Sequence, residues 1–114
     1  MASASAARTL VALLVVSCLS GLVLANDAGT GGDAGGSTST AAWLPAANAT
    51  YYGNLTASSD TDDYYGVNMS SNTGIAVGLT SPSGADFDLM LYTSSGSMID
   101  SSYSTSSYDN VTSN

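Results

Sequence analysis

After residue 43 the chain alternates between short apolar runs and turn residues. The runs are NATYYGNL (48–55), YYGVNM (64–69), GIAVGLT (74–80), DFDLMLY (86–92) and a weak last run around Met98 and Ile99. Within GIAVGLT, Ile75, Val77 and Leu79 share one face, which is the period of a half-buried strand. Short strands that recur at this spacing are typical of an antiparallel sandwich or barrel. Because no helical stripe follows the first 25 residues, the pattern predicts an all-β fold, either an antiparallel sandwich or a barrel.

The first 25 residues have the pattern of a secretory signal peptide. One positive charge, Arg8, precedes an apolar run from Leu10, and small residues end the segment at Ala25. The run is short for a membrane span, which needs roughly 20 residues. We therefore predict cleavage after Ala25 and a secreted or cell-surface protein. An uncleaved anchor and a lipoprotein signal with Cys18 as the modified residue remain alternatives.

Residues 26–42, NDAGTGGDAGGSTSTAA, have no apolar periodicity. Their Gly, Ser, Thr and Ala content predicts a flexible leader. The glycine-rich stretch GTGGDAGG (29–36) occurs once, whereas glycine-rich calcium repeats need tandem copies, so we interpret it as a linker. The domain itself is predicted to span residues 43–114.

Composition excludes several functions. The chain has nine acidic residues, one basic residue and no histidine, so removal of Arg8 with the signal peptide changes the net charge from −8 to −9. A polyanion without Lys or Arg does not neutralise nucleic-acid phosphates, and it has no attraction for anionic lipid. The chain from residue 26 onward also lacks cysteine and therefore cannot form a disulfide bond. A secreted domain this small needs a different stabiliser, and a metal ion is suited to that role.

Catalysis is not expected within this chain. A Ser or Thr nucleophile needs a base, usually His or Lys, and a zinc site usually needs His or Cys; residues 26–114 contain none of these. Two aspartates could form an acid/base pair, but DTD (60–62) lacks the glycine that follows Asp-Thr in aspartic proteases. We predict a protein that is not an enzyme.

The stretch SSDTDDYYGV (58–67) places Asp60, Asp62 and Asp63 within four positions. Carboxylates this close repel each other unless water or a cation lies among them. A calcium site and a solvated acidic turn both explain the stretch. If the turn is extended, Asp60 and Asp62 point the same way and Asp63 faces elsewhere. Asp86 and Asp88, on one face of a later run, are expected to face solvent.

Along residues 44–110 a series of motifs occurs in order: Gly53 and Leu55, Asp60 and Asp62 before Tyr64, Gly74 to Leu79, DFDLMLY (86–92) and Gly96. In this order and spacing they resemble the pre-peptidase C-terminal domain, a β-sandwich of bacterial and archaeal secreted and surface proteins. The resemblance implies an antiparallel β-sandwich of the jelly-roll type. The chain departs from the family at Gly66, where an aromatic core residue is common. The family also continues with two further strands after SSYDNVTSN, so the resemblance implies a partial domain or the start of a longer protein.

The resemblance also implies a metal site. Collagen-binding relatives hold calcium with carboxylates from the leader and the Asp-x-Asp turn. Carried over, the ligands would be Asn26, Asp27, Asp33, Asp60 and Asp62. Calcium prefers such oxygen ligands.

The function that follows is a non-catalytic accessory domain, stabilised by calcium, beside a secreted peptidase or surface protein. One alternative is an adhesion module that binds an extracellular protein or glycan through some of the seven tyrosines; another is the N-terminal piece of a secreted peptidase. Glycosylation sequons, usable in a secreted chain, occur at Asn48, Asn54, Asn68 and Asn110.

Overall fold

The computed structural model of the protein describes residues 8–16, 27–55 and 60–113. The strands are β1 (Arg8–Val16), β2 (Ala42–Trp43), β3 (Asp62–Met69), β4 (Ile75–Thr80), β5 (Phe87–Thr93), β6 (Met98–Ser102) and β7 (Tyr108–Ser113). Two single 3-10 turns, at Asp27–Gly29 and Thr38–Thr40, are the remaining regular structure in these ranges. The described residues contain no α-helix, which confirms the all-β prediction. Accordingly, none of the described segments is a helix that could span a membrane.

The strands form two sheets. The larger sheet has the order β2-β3-β1-β5-β6, and β4 pairs with β7 in the smaller one. The pairings are antiparallel except between β2 and β3, which run parallel over two residue pairs. Because β2 is that short, antiparallel pairing dominates, as the sequence predicts.

Apolar side chains from both sheets form one core. Leu89 and Leu91 of β5 are 0% exposed, and Val111 of β7 is 1% exposed. The other core residues are Val67 and Met69, with Ile75, Val77 and Leu79 packed against them. Each fully buried aliphatic side chain contributes about 1.5 to 3 kcal/mol. The alternation in GIAVGLT and DFDLMLY therefore predicted correctly which residues face inward, while the jelly-roll sandwich stays a prediction.

The predicted strands differ from the observed strands in two places. Residues 48–55 form no strand; Tyr52 and Asn54 instead bond to the loop that contains Asp27. Conversely, β7 arises from YDNVTS, a segment that is too polar to be recognised as a strand. Its core-facing positions are Asp109 and Val111, so the alternation is present but a carboxylate occupies one inward position.

The apolar segment predicted as the signal peptide contributes a central strand. Arg8–Val16 forms β1, between β3 and β5. A continuous apolar run suits a strand with neighbours on both sides as well as a signal peptide, so periodicity does not separate the two. Cys18 and the expected cleavage point after Ala25 lie outside the described residues. Signal processing stays a prediction.

The leader that composition predicts to be flexible packs against the sheet from residue 27 onward. Asp27 and Ala34 are both fully buried. The amide of Tyr64 donates to the carbonyl of Gly35 at 3.0 Å, which ties the loop to β3. Gly31, with φ of 83°, adopts the left-handed conformation that a tight loop of this kind needs.

Trp43 explains the glycine at position 66. Gly66 is buried in β3 and pairs with Trp43 of β2. A Cβ at Gly66 would lie 2.9 Å from the indole ring of Trp43, so a larger residue there would displace the ring. The tryptophan thus covers the main chain of β3 at Gly66.

Candidate metal centre

Three carboxylates converge where the leader loop meets the start of β3. One oxygen from each of Asp27, Asp33 and Asp63 lies within 4.8 Å of the others. Asp27 and Asp63 are buried, and Asp33 is exposed at the mouth of the cluster. Two sequence-distant segments therefore supply oxygen ligands to a single point.

Asp27 is held by main-chain donors. Its Oδ2 accepts a hydrogen bond from the amide of Ala34 at 2.9 Å, and its Oδ1 accepts one from the amide of Asn54 at 2.6 Å. Its own amide donates to the carbonyl of Gly32 at 2.9 Å. The carboxylate of Asp27 therefore organises both the leader loop and residues 52–54, and it is fixed in place.

Asp63 is turned inward by the alternation of β3. Because side chains alternate along a strand, Asp63, Tyr65 and Val67 face the same side, and all three are buried. The hydroxyl of Tyr65 donates to Oδ2 of Asp63 at 3.0 Å. The other oxygen, Oδ1, is buried and has no hydrogen-bond partner among the described residues. A buried charged oxygen without a partner is strongly unfavourable unless a proton or a cation compensates it.

The electrostatics of the cluster favour added positive charge. Burial, and after it the nearby charge of Asp27, raises the pKa of Asp63 to about 8. Burial is also the main cause of the raised pKa values of Asp27 and Asp33. For Tyr65, burial and the neighbouring Asp63 charge raise the pKa of the phenol, which stays protonated as a donor. Without a cation, Asp63 holds at pH 7 a proton that an isolated carboxylate would release.

The exposed side of the cluster opens into an acidic cleft of about 210 Å³. The cleft is lined by Asp33, Gly36, Asp60, Thr61 and Asp62. The hydroxyl of Thr61 donates to Oδ2 of Asp62 at 2.9 Å. After burial, the charge of Asp60 is the next cause of the raised pKa of Asp33, so Asp60 lies close to the mouth. Asp33 belongs to both the cleft and the cluster, so the two adjoin each other.

The structure separates the residues predicted as metal ligands. Asp27 and Asp33 belong to the cluster, Asp60 and Asp62 line the cleft beside it, and Asn26 lies outside the described residues. Asp63 faces away from its strand neighbour Asp62, as expected, but it points inward to the cluster, and the predicted ligand set did not include it. The strand begins at Asp62, and its alternation with Tyr65 and Val67 was the signal that identifies Asp63.

The residues present fit calcium. Calcium takes six to eight oxygen ligands in flexible geometry, and carboxylates, main-chain carbonyls and water serve it equally. The cluster offers only oxygen, carries excess negative charge and includes the unpartnered Oδ1 of Asp63. Asp27, Asp33 and Asp63 would hold the ion, with water completing its shell through the cleft. Bound calcium would supply charge neutralisation and a cross-link between the leader loop and β3.

A second carboxylate, Asp109 of β7, is buried away from this cluster. Its Oδ1 accepts hydrogen bonds from the hydroxyl of Ser102 at 2.5 Å and from the amide of Ser104 at 2.9 Å. Its Oδ2 is buried and has no hydrogen-bond partner within the described ranges. Asp88 is half-buried and its pKa is raised, chiefly by burial and then by Asp86 and Asp109. Asp86 is exposed as predicted, whereas Asp88 is only partly so.

The predicted modification sites lie mostly at the surface. Asn48, Asn68 and Asn110 are exposed, and Asn54 is half-buried beside Asp27. Among the tyrosines, Tyr65 is buried, and Tyr64 and Tyr92 stack with ring centroids 6.4 Å apart. Tyr52, Tyr103 and Tyr108 are exposed.

Comparison of the chain with protein-family models, with curated proteins and with solved structures gave no match. The resemblance to the pre-peptidase C-terminal domain therefore depends on the motifs alone. The function that this resemblance implies is therefore a proposal.

Proposed function

We propose that the protein is a secreted, non-catalytic β-domain of the pre-peptidase C-terminal type, stabilised by calcium, that accompanies a secreted peptidase or a cell-surface protein. The all-β fold, the acidic composition and the convergence of Asp27, Asp33 and Asp63 support it. In this function the domain contributes a stable folded unit outside the cell rather than a reaction.

One observation carries the calcium part of the proposal. Asp63 belongs to the carboxylate cluster, and its buried Oδ1 lacks a hydrogen-bond donor in the described part of the chain. Few water molecules reach such a buried oxygen, and the negative charge of Asp27 nearby makes the ionised form of Asp63 less favourable. A divalent cation satisfies the atom and offsets the repulsion between Asp27 and Asp63 at once.

The test is thermal unfolding of the full chain in calcium and in chelator. We expect calcium to raise the midpoint, because a ligand at about 100 times its Kd stabilises the folded state by about 2.7 kcal/mol. Asp63→Asn should abolish the calcium-dependent rise while keeping the shape of the side chain. Asp86→Asn is the matched control, since it removes the same charge from an exposed position outside the cluster.

Two results would contradict the calcium site. The first is an unchanged midpoint for the folded wild-type chain across calcium concentrations. The second is an equal calcium response in the Asp63→Asn and Asp86→Asn variants, which would attribute the response to general screening of negative charge. Magnesium at the same ionic strength separates a selective site from such screening.

A separate experiment tests export. Expression of the full chain with its own N-terminus, followed by N-terminal sequencing of the released protein, should give a start at Asn26. A start at Met1 in cell-associated protein would contradict secretion by cleavage, and a lipid-modified Cys18 would support the lipoprotein alternative.

Exposed aromatic residues favour one second candidate, a binding module for a glycan or protein. Tyr103 and Tyr108 are both more than half exposed, and Met98 and Ile99 of the adjacent strand β6 are also exposed. Aromatic faces of this kind stack on sugars and peptides. Binding to a glycan array that is lost in Tyr103→Ala and Tyr108→Ala but kept in Tyr52→Ala would support this function.

A further inference from the structure

Strand β1 connects two parts of the larger sheet that have no other hydrogen-bonded link. It pairs with β3 over eight residues and with β5 over seven, antiparallel to both. In the strand order β2-β3-β1-β5-β6, removal of β1 leaves two separate pairs, β2-β3 and β5-β6. Each pair would then present a row of unpaired main-chain donors and acceptors to the other.

This strand position selects for apolar occupants. Positions 10, 12 and 14 of β1 pair on one side with Val67, Tyr65 and Asp63, all of which are buried. On the other side, positions 12 and 14 pair with the fully buried Leu91 and Leu89. Directly opposed residues share a face of the sheet, so these positions belong to the buried face. The segment LVALLVV (10–16) meets that requirement.

One end of the position is acidic. Position 15 of β1 pairs with Asp62 of β3 and with Asp88 of β5. Both aspartates are only partly exposed, and residues 26–114 contain no Lys, Arg or His to balance them. Cross-strand pairs of opposite charge are favourable, so a basic residue at this place improves an occupant.

We propose that the space between β3 and β5 is a strand-acceptor site: Arg8–Val16 fills it in this chain, and removal of the signal segment (residues 1–25) opens it to an apolar strand of a partner polypeptide. The partner segment has at least seven residues, runs antiparallel to β3 and β5, and carries a basic residue opposite Asp62 and Asp88. Main-chain hydrogen bonds on both sides provide its affinity, and the buried row provides its selectivity. The inference rests on the cleavage after Ala25 that the proposed secretion entails, and it uses neither the metal centre nor the accessory role.

The test uses the full chain with a specific protease site between Val16 and Asp27. The cut protein is unfolded in urea, its own N-terminal segment is separated from it by size exclusion, and the remaining chain is refolded with an excess of fluorescent RTLVALLVV peptide that carries a lysine tail for solubility. We expect one labelled peptide per chain after size exclusion and the recovery of cooperative unfolding. The peptide with Leu13→Pro should be excluded, because proline removes a ladder hydrogen bond from a strand with two neighbours. The uncut chain is the control for refolding.

A matched pair of peptides tests the acidic end. Val15→Lys should bind about threefold more tightly than the unchanged peptide, and Val15→Glu should bind more weakly by a similar factor. Equal uptake of the Leu13→Pro peptide would overturn the proposal, as would a cut chain that refolds to full stability without any peptide. A peptide-free cut chain that fills the site by forming dimers would show that a second copy, not a partner strand, is the occupant. Failure of the cut chain to refold with peptide, while the uncut chain refolds, also counts against the acceptor site.

Discussion

The protein buries two carboxylates on strands, and their surroundings differ. Asp63 and Asp109 are each 1% exposed, and each has one oxygen without a hydrogen-bond partner in the described residues. Around Asp109, a serine hydroxyl and a main-chain amide donate to the other oxygen. Around Asp63, one phenol donates, and the nearest charged groups are two more carboxylates.

The comparison separates burial from function. A buried carboxylate that receives donors acts as a hydrogen-bonded link between strands, and for Asp109 it joins the loop after β6 to β7. A buried carboxylate that faces other carboxylates needs a cation or a proton to be stable. The neighbours, rather than the depth of burial, therefore mark Asp63 as the candidate metal ligand.

The largest expected difference between the two sites is in pH dependence. Because the folded pKa of Asp63, about 8, exceeds its unfolded value of 3.8, the folded state binds more protons between these values. The calcium-free free energy of unfolding should then be highest below about pH 4 and fall by several kcal/mol as pH rises through 8. Urea unfolding in chelator across this range measures it.

Substitutions at the two sites should separate this pH effect. Asp63→Asn should flatten the fall in stability, and Asp109→Asn should leave it in place. In saturating calcium the wild-type slope should reverse, because the metal binds the ionised carboxylate. If stability fell with rising pH as steeply in Asp63→Asn as in the wild-type chain, Asp63 would not be the cause of the pH dependence.

Loss of Asp27 should have the next largest effect. Asp27→Ala leaves the amides of Ala34 and Asn54 buried without their acceptor, at about 1 to 3 kcal/mol each. We expect a loss of about 3 kcal/mol by chemical denaturation in calcium, together with loss of the calcium response. Asp100→Ala, which removes an acceptor in β6 at the opposite edge of the larger sheet from β2, should keep the calcium response.

A smaller effect is expected at Gly53. A Cβ at this position would overlap the hydroxyl of Tyr65 and lie 3.3 Å from Oδ1 of Asp27. Gly53→Ala should therefore destabilise the domain by about 2 kcal/mol and weaken calcium binding, through displacement of the two groups that support the cluster. At Gly32, an added Cβ has nothing within 4 Å, so Gly32→Ala is the control and should change stability by less than about 0.5 kcal/mol. Equal losses in the two variants would contradict the overlap at Tyr65.

The smallest effect belongs to Asp109→Asn. The amide keeps one oxygen to accept from Ser102 or Ser104, so we expect a loss of about 1 kcal/mol. Calcium titrations should be unchanged. A lost calcium response in this variant would mean that Asp109, and not Asp63, lies at the metal site, which would reverse the comparison.

The two regions also differ in how far sequence could predict them. Alternation in GIAVGLT and DFDLMLY identified Ile75, Val77, Leu89 and Leu91 as inward-facing, because strand period depends only on local order. Residues 48–55 and β7 were predicted wrongly, because their conformation depends on long-range bonds to Asp27 and to β4. The acidic stretch indicated a candidate metal site. The sequence did not show which of the adjacent aspartates points inward, because that depends on β3 beginning at Asp62. Apolar content alone does not distinguish a signal peptide from a central strand at Arg8–Val16.

The contact between Trp43 and Gly66 makes the intrinsic tryptophan fluorescence of the protein a probe of β3. Trp43 is the only tryptophan of the chain, it is 49% exposed, and its ring lies on the main chain of the strand that carries Asp63 and Tyr65. Its emission depends on how closely β2 stays docked on β3, because undocking exposes the indole to water. Shifts in the emission maximum can therefore follow calcium binding at one end of β3, and strand exchange along its length, without any attached dye.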